Sequence, residues 1–252
     1  MKLFIKNRKG QKICVLIDKT ENQKGLVFLM HGLSGNKDQA HIQTFSKVFL
    51  DNNYTVIRFD TTNTFGESEG NYEDATVTNY YEDLEDVINW VKTQEFYQEP
   101  FVLVGHSMGG MCVTLFAQKF PEKIKALAPI STTISGELSV KRDPEKMKKW
   151  KKTGWHIEKT PTRGIVTKLP WSHMEDRMKY DILTEAEKLD IPVLIIVGEK
   201  DRHPEYQKLL FDKLSGRKEL HIINGAPHDF KEDKHLTEVS HIFDKWLKGL
   251  DK

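Results

Sequence analysis

Ser107 lies in Gly105-His106-Ser107-Met108-Gly109-Gly110, a serine with glycines two residues to either side. The segment follows the apolar run Pro100–Val104 and opens an apolar stretch, Gly110–Phe120, that reads as a helix. A chain turning sharply from strand to helix strains the backbone at the serine and exposes its hydroxyl, and the flanking glycines remove Cβ atoms that would collide. The helix N-terminus favours negative charge developing nearby. The chemistry expected is nucleophilic acyl transfer, which needs a base, because a serine hydroxyl alone is a weak nucleophile.

Ten histidines compete for that role, so position selects among them. His228 ends Asn224-Gly225-Ala226-Pro227-His228, directly after the last strand-like run, Lys218–Ile223. His203, His235 and His241 are weaker candidates, and His221 falls inside the strand. The acid should also follow a strand end, in the order serine, acid, histidine. Ile191–Gly198 is the cleanest strand-like run, and Asp201 follows it, with Glu199 the nearest competitor. Asp181 and Asp190 precede that run and belong to its wrong end. A carboxylate on the His228 ring would fix the tautomer and stabilise the imidazolium.

Two backbone amides complete the set. One is Met108, after the nucleophile. The other is Leu33, in the loop His31-Gly32-Leu33-Ser34-Gly35-Asn36 after the third strand, where glycines allow close approach to a substrate oxygen. His31, Ser34 and Asp60 read as structural, although Ser34 is placed to touch substrate. Cys14 and Cys112 sit in apolar runs without a CxxC pair, so both are expected in the core. No metal-ligand motif is present, and no cofactor is implied.

The elements that must position these residues alternate. Leu3–Lys6 and Lys12–Ile17 read as a hairpin. Gly25–Met30, Tyr54–Phe59, Pro100–Gly105, Ile124–Ile130, Ile191–Gly198 and Lys218–Ile223 are continuous apolar runs, as a sheet covered on both faces requires. His41–Asn53, Val77–Gln94 with Thr78 as N-cap, Gly110–Phe120 and Leu236–Leu250 have helical spacing. The expected fold is α/β: a mostly parallel eight-stranded sheet with helices on both faces. Residues 133–182 are too long for an ordinary connection. They are expected to form an inserted cap on a core of residues 1–132 and 183–252. The cap's Lys-rich stretch, Lys141–Lys159, reads as a solvated helix face, with an anionic partner as the alternative. Of Trp150, Trp155 and Trp171, the last two are expected to line an apolar substrate pocket.

At 252 residues and net charge +1, the chain offers no field for nucleic acid or anionic lipid. It has no apolar run long enough to span a bilayer and no signal-like N-terminus, so a cytoplasmic protein with a small-molecule ester as partner is expected. The elbow, HGLSGN, GEKD and GAPH, in that order, resemble the α/β-hydrolase superfamily. The likeness is strongest to small bacterial carboxylesterases, including cinnamoyl or feruloyl esterases. Arg58–Asp60 and Gly66–Gly70 also match their pattern, whereas Thr61–Thr64 departs from it. The resemblance implies an esterase using Ser107, Asp201 and His228, with the Leu33 and Met108 amides on the oxyanion. The alternatives are a monoacylglycerol-type lipase, a serine peptidase or amidase, and a non-catalytic ligand-binding relative. Serine rather than aspartate at the elbow argues against halide or epoxide chemistry.

Overall fold

The described residues form ten strands, most of them runs of Val, Ile, Leu and Phe bounded by turn residues: β1 (Lys2–Lys6), β2 (Lys12–Asp18), β3 (Gly25–Met30), β4 (Tyr54–Phe59), β5 (Phe101–His106), β6 (Ile124–Ile130), β7 (Trp155–Lys159), β8 (Val166–Pro170), β9 (Val193–Gly198) and β10 (Lys218–Ile223). Among the described residues eight α-helices lie between or after them: α1 (Ala40–Asp51), α2 (Val77–Val91), α3 (Met108–Lys119), α4 (Gly136–Arg142), α5 (Pro144–Thr153), α6 (Ser172–Arg177), α7 (Glu205–Lys213) and α8 (Asp233–Leu250). The structure, a computed structural model, describes residues 1–159, 166–202 and 204–250.

Eight strands form one sheet in the order β1-β2-β4-β3-β5-β6-β9-β10. The β1–β2 and β2–β4 pairs are antiparallel, and β4, β3, β5, β6, β9 and β10 run parallel. β3 shows why the central runs are continuously apolar. Leu26, Phe28 and Met30 pack into one core with α2 and α3, while Val27 and Leu29 pack into a second with α1 and α8. Both faces are covered, so the polar alternation of a half-exposed strand is absent. Cys14 and Cys112 are free and buried.

α2 is capped one residue earlier than its helical start and not at Thr78. The Thr76 hydroxyl accepts from the Asn79 amide at 3.0 Å, whereas Thr78 lies within the helix. The Thr78 hydroxyl and amide instead donate to the Asp176 carboxylate at 2.6 and 2.9 Å, tying α2 to α6. A threonine facing a partner element can serve as a tether, which spacing alone does not reveal.

Between β6 and β9 the chain leaves the sheet to build α4, α5, the antiparallel β7–β8 hairpin and α6. It departs and returns through a paired neck, with the Gly136 amide donating to the Tyr180 carbonyl and the Ile182 amide to the Ile134 carbonyl, each at 3.0 Å.

The loops after β3 and β4 are braced by an ion cluster around the buried Lys37 and Asp60. Lys37, 2% exposed, has its ammonium 3.0 Å from Asp60 and 2.6 Å from Glu67. Asp60 also accepts from the Lys37 and Glu67 amides at 2.7 and 2.8 Å. Cys14, Asp60 and Glu67 could together offer ligand atoms to a cation, but the Lys37 ammonium already occupies the position between the two carboxylates.

Candidate active site

Parallel strands present their carboxyl ends on one edge, and the candidate residues sit there. Ser107 follows β5 with φ 55° and ψ −117°. A non-glycine residue at positive φ costs about 1–3 kcal/mol and persists only where its surroundings hold it. Here the Ser107 amide donates to the Ile130 carbonyl at 2.9 Å, and its carbonyl accepts from the Thr133 amide at 3.0 Å. A Cβ on Gly105 would lie 2.4 Å from the Gly109 carbonyl oxygen, and one on Gly109 would lie 2.4 Å from that of His31. Glycine is therefore required where the turn closes on itself and on the β3 loop.

The β3 loop reaches the serine from the other side, with Gly32 so close that a Cβ there would sit 2.8 Å from the Ser107 Cβ. Among the described residues, neither the Leu33 nor the Met108 amide donates to a backbone carbonyl. The Met108 amide makes no backbone hydrogen bond because it opens α3, and the residue four before it, Val104, belongs to β5 and not to the helix.

Asp201 and His228 meet across neighbouring loops. His228 Nδ1 lies 2.9 Å from both carboxylate oxygens of Asp201. The loops are stitched together by the Lys200 amide on the Ala226 carbonyl and the Glu199 amide on the Ile223 carbonyl, both at 2.9 Å. The Glu199 carboxylate accepts from the Gly225 amide at 2.8 Å, so the competitor acid is engaged in bracing the histidine loop. His106 Nε2 lies 2.8 Å from the His228 carbonyl and donates to it, fixing the backbone behind the ring. Burial raises the Asp201 carboxyl, but the His228 hydrogen bond and charge outweigh it, and the carboxyl titrates below its usual range.

Ser107, Asp201, His228, Leu33 and Met108 all line one cavity of about 320 Å³. No hydrogen bond joins the Ser107 hydroxyl to His228 among the described residues. Such catalytic bonds are commonly long without substrate and tighten when it binds. Of the other histidines, His235 is buried under the Gly225 turn, His221 sits in β10 beside Glu219, and His203 lies outside the described residues.

Residues 25–156 match the alpha/beta hydrolase fold family. The chain belongs to that family. Among curated proteins, this hydrolase-fold chain is 27% identical to an uncharacterized 31.7 kDa protein of the traX-finO intergenic region of Escherichia coli, across 88% of this chain and 90% of that protein. It is 26% identical to the mitochondrial palmitoyl-protein thioesterase ABHD10 of Bos taurus, across 70% of this chain and 56% of that protein. Among solved structures, it superposes on ferulic-acid-bound Est1E from Butyrivibrio proteoclasticus with a TM-score of 0.82 at 23% identity, covering 98% of both chains. Mouse alpha/beta hydrolase domain-containing protein 10 gives a TM-score of 0.81 at 19% identity, covering 99% of both chains.

The cavity of this hydrolase-fold chain departs from an apolar pocket walled by Trp155 and Trp171. The segment between β6 and β9 does form one wall, but Trp150 lines it while Trp155 and Trp171 do not. The two-residue period of β7 explains Trp155: His156 and Glu158 face the cavity, so Trp155 and Ile157 face solvent at 43% and 60% exposure. Trp171 packs edge-on against Trp150, ring centroids 5.9 Å apart. Leu33, Ile134, Leu138 and Leu169 supply apolar surface, but Arg142, Lys146, Glu158 and Arg177 share the lining. No spacing pattern in the sequence singles these charged residues out.

His41, His106 and His173 are buried around the site. Burial pushes His41 and His173 down to about 3 and His106 well below the ordinary value of 6.5. The unfolded chain takes up these protons near pH 6.5, while the folded chain resists until about pH 3. Stability therefore falls as pH drops through that window, by up to about 1.4 kcal/mol per pH unit for each histidine. Paired carboxylates with lowered values lose their stabilisation only nearer pH 4. Urea unfolding is thus expected to show a lower midpoint at pH 5 than at pH 7, and equal midpoints would contradict neutral burial.

Proposed function

We propose that the protein is a serine hydrolase that cleaves carboxylic esters through an acyl-enzyme on Ser107. The observation that carries this reading is the Asp201–His228 pair, joined at 2.9 Å on the cavity that Ser107 also lines. His228 takes the Ser107 proton as the oxygen attacks the ester carbonyl. The developing oxyanion is held by the Leu33 and Met108 amides. Collapse breaks the bond to the leaving alcohol, which takes the proton from His228. Water then repeats the cycle: His228 removes its proton, the acyl bond to Ser107 breaks, and the serine is reprotonated. Asp201 keeps the ring oriented and balances the imidazolium.

Residues 133–182 act in this reading as a cap that shapes the acyl or leaving-group site. A thioester is a second substrate class, supported by the likeness to palmitoyl-protein thioesterases. The same acyl-enzyme serves it, with a thiol leaving. No helix among the described residues is long and apolar enough to cross a membrane, which fits a substrate met in water.

A panel of 4-nitrophenyl esters from acetate to decanoate, with an acyl thioester alongside, tests the reading. Hydrolysis together with stoichiometric fluorophosphonate labelling of the Ser107 peptide is expected. Neither turnover nor labelling on any member would remove it.

A further inference from the structure

The second half of the cavity carries charge that the acyl-transfer chemistry does not use. Arg177, at the end of α6, lines the cavity beside the candidate oxyanion donor, its Nη2 lying 3.9 Å from the Met108 Sδ. The same Nη2 donates to His173 Nε2 at 2.8 Å. His173 can accept because its Nδ1 donates to the Ala75 carbonyl at 2.7 Å and its ring is neutral. Arg177 Nε is buried with no hydrogen-bond partner. Among the described residues no ion pair involves Arg177, nor Arg142, Lys146 or Arg202, which line the same cavity. The two carboxylates there are already engaged, Asp201 by His228 and Glu158 by His156 at 3.1 Å.

Two other cations set into the fold have carboxylate partners. The Lys37 ammonium has Asp38, Asp60 and Glu67 within 3.0 Å, and Arg58, 14% exposed, holds Asp38 at 2.8 Å and Asp18 at 3.6 Å. An uncompensated buried guanidinium is costly, and the usual remedy is a counter-ion. Burial and then the charge of Arg142 hold the Arg177 guanidinium down to about 10 although Asp176 pulls the other way, and both arginines line the one cavity, where a negative group would relieve them. A guanidinium fork matches a carboxylate in plane and spacing. The apolar lining from Leu138, Met147 and Leu169 suits a short hydrocarbon chain between that carboxylate and the reacting carbonyl.

We propose that Arg177 and Arg142 bind a carboxylate carried by the substrate, making the protein selective for half-esters of dicarboxylic acids or similarly anionic acyl groups. This rests on the ester-hydrolase reading and narrows its substrate class. Arg177 is a binding residue here, and Ser107, Asp201 and His228 do the chemistry.

The test compares mono-(4-nitrophenyl) adipate with 4-nitrophenyl hexanoate, acyl groups of equal length differing in the terminal carboxylate. The wild-type protein is expected to favour the charged ester in kcat/KM, mainly through KM, with the preference shrinking at high salt. Arg177→Gln should reduce the charged-to-neutral ratio by about tenfold to a hundredfold, the worth of charge-assisted hydrogen bonds. Arg142→Gln, less deeply set, should reduce it less, and Arg177→Lys should keep part of it. Because both esters are assayed on one preparation, the ratio is independent of how much of a variant folds. A wild-type ratio near one, or a ratio unmoved by Arg177→Gln, overturns the carboxylate site while leaving the hydrolase standing, since the neutral ester is still cleaved. If no ester is cleaved, the hydrolase reading fails. Calorimetry with adipate then decides the site: Arg177-dependent binding upholds it, and no binding overturns it.

Discussion

Ser107→Ala is expected to lower kcat on 4-nitrophenyl esters by about 10⁵- to 10⁶-fold, with KM little changed, as for loss of the nucleophile in a serine hydrolase. The size follows from what the hydroxyl does. It is the one atom proposed to bond to the acyl group, and without it water must attack the ester directly. What survives is the catalysis that binding and the amide donors give unaided, about 10³- to 10⁴-fold over water. The backbone at 107 is held at φ 55° by hydrogen bonds from its own amide and carbonyl, so alanine should leave the turn in place. Thermal unfolding within a few degrees of wild type would verify that. A Ser107→Ala protein retaining more than a hundredth of wild-type kcat would show that the acyl group does not pass through this residue.

Asp201→Asn should lower kcat by about 10⁴-fold at neutral pH, through the tautomer rather than through the loss of charge alone. His228 Nδ1 lies 2.9 Å from both carboxylate oxygens, so its hydrogen is directed at the acid and Nε2 is left bare to receive a proton. An asparagine amide can donate to Nδ1, which moves the ring hydrogen to Nε2 and removes the base. The neighbouring Arg202 amide, 2.6 Å from Oδ1, gives the carboxylate a second fixed partner and limits its rearrangement. Single-turnover rates of acylation at pH 7 to 9 would read the effect directly. A loss smaller than tenfold would mean that Asp201 does not orient the base.

The two predictions differ in what the sequence could offer them. Ser107 stands in a local motif: glycines around it, a strand before, a helix after. Steric collisions within about five residues make that pattern, so it is legible in one stretch of chain. Asp201 and His228 have no such local signature. Each follows an apolar run, and that placement marks them only because parallel strands put their carboxyl ends on one edge. β9 and β10 are sheet neighbours, and this adjacency brings the two loops into contact.

The sequence was least informative where side chains face one another across elements. Thr78 has the type of a cap residue, yet it grips Asp176, 98 positions away. Trp155 and Trp171 have the type of pocket residues, yet the pleat of β7 turns one outward and Trp150 covers the cavity side of the other. Arg177 resembles any helix-end arginine until the positions of His173, Met108 and Arg142 are known.

Two kinds of information thus divide this protein. Residue type and period alone determined the eight strands of the sheet, α1, α2, α3 and α8 on its faces and the strained serine turn, because these follow from backbone sterics and from burying apolar runs; they did not reveal α4 to α7, nor that Trp155–Lys159 leaves the expected helix as strand β7. Tertiary structure decided which polar groups meet: the carboxylate with the imidazole, the amides left open beside the serine, and the guanidinium left without an ion pair. Pairing of that kind depends on distances between segments far apart in the chain, and no periodicity within a segment encodes them.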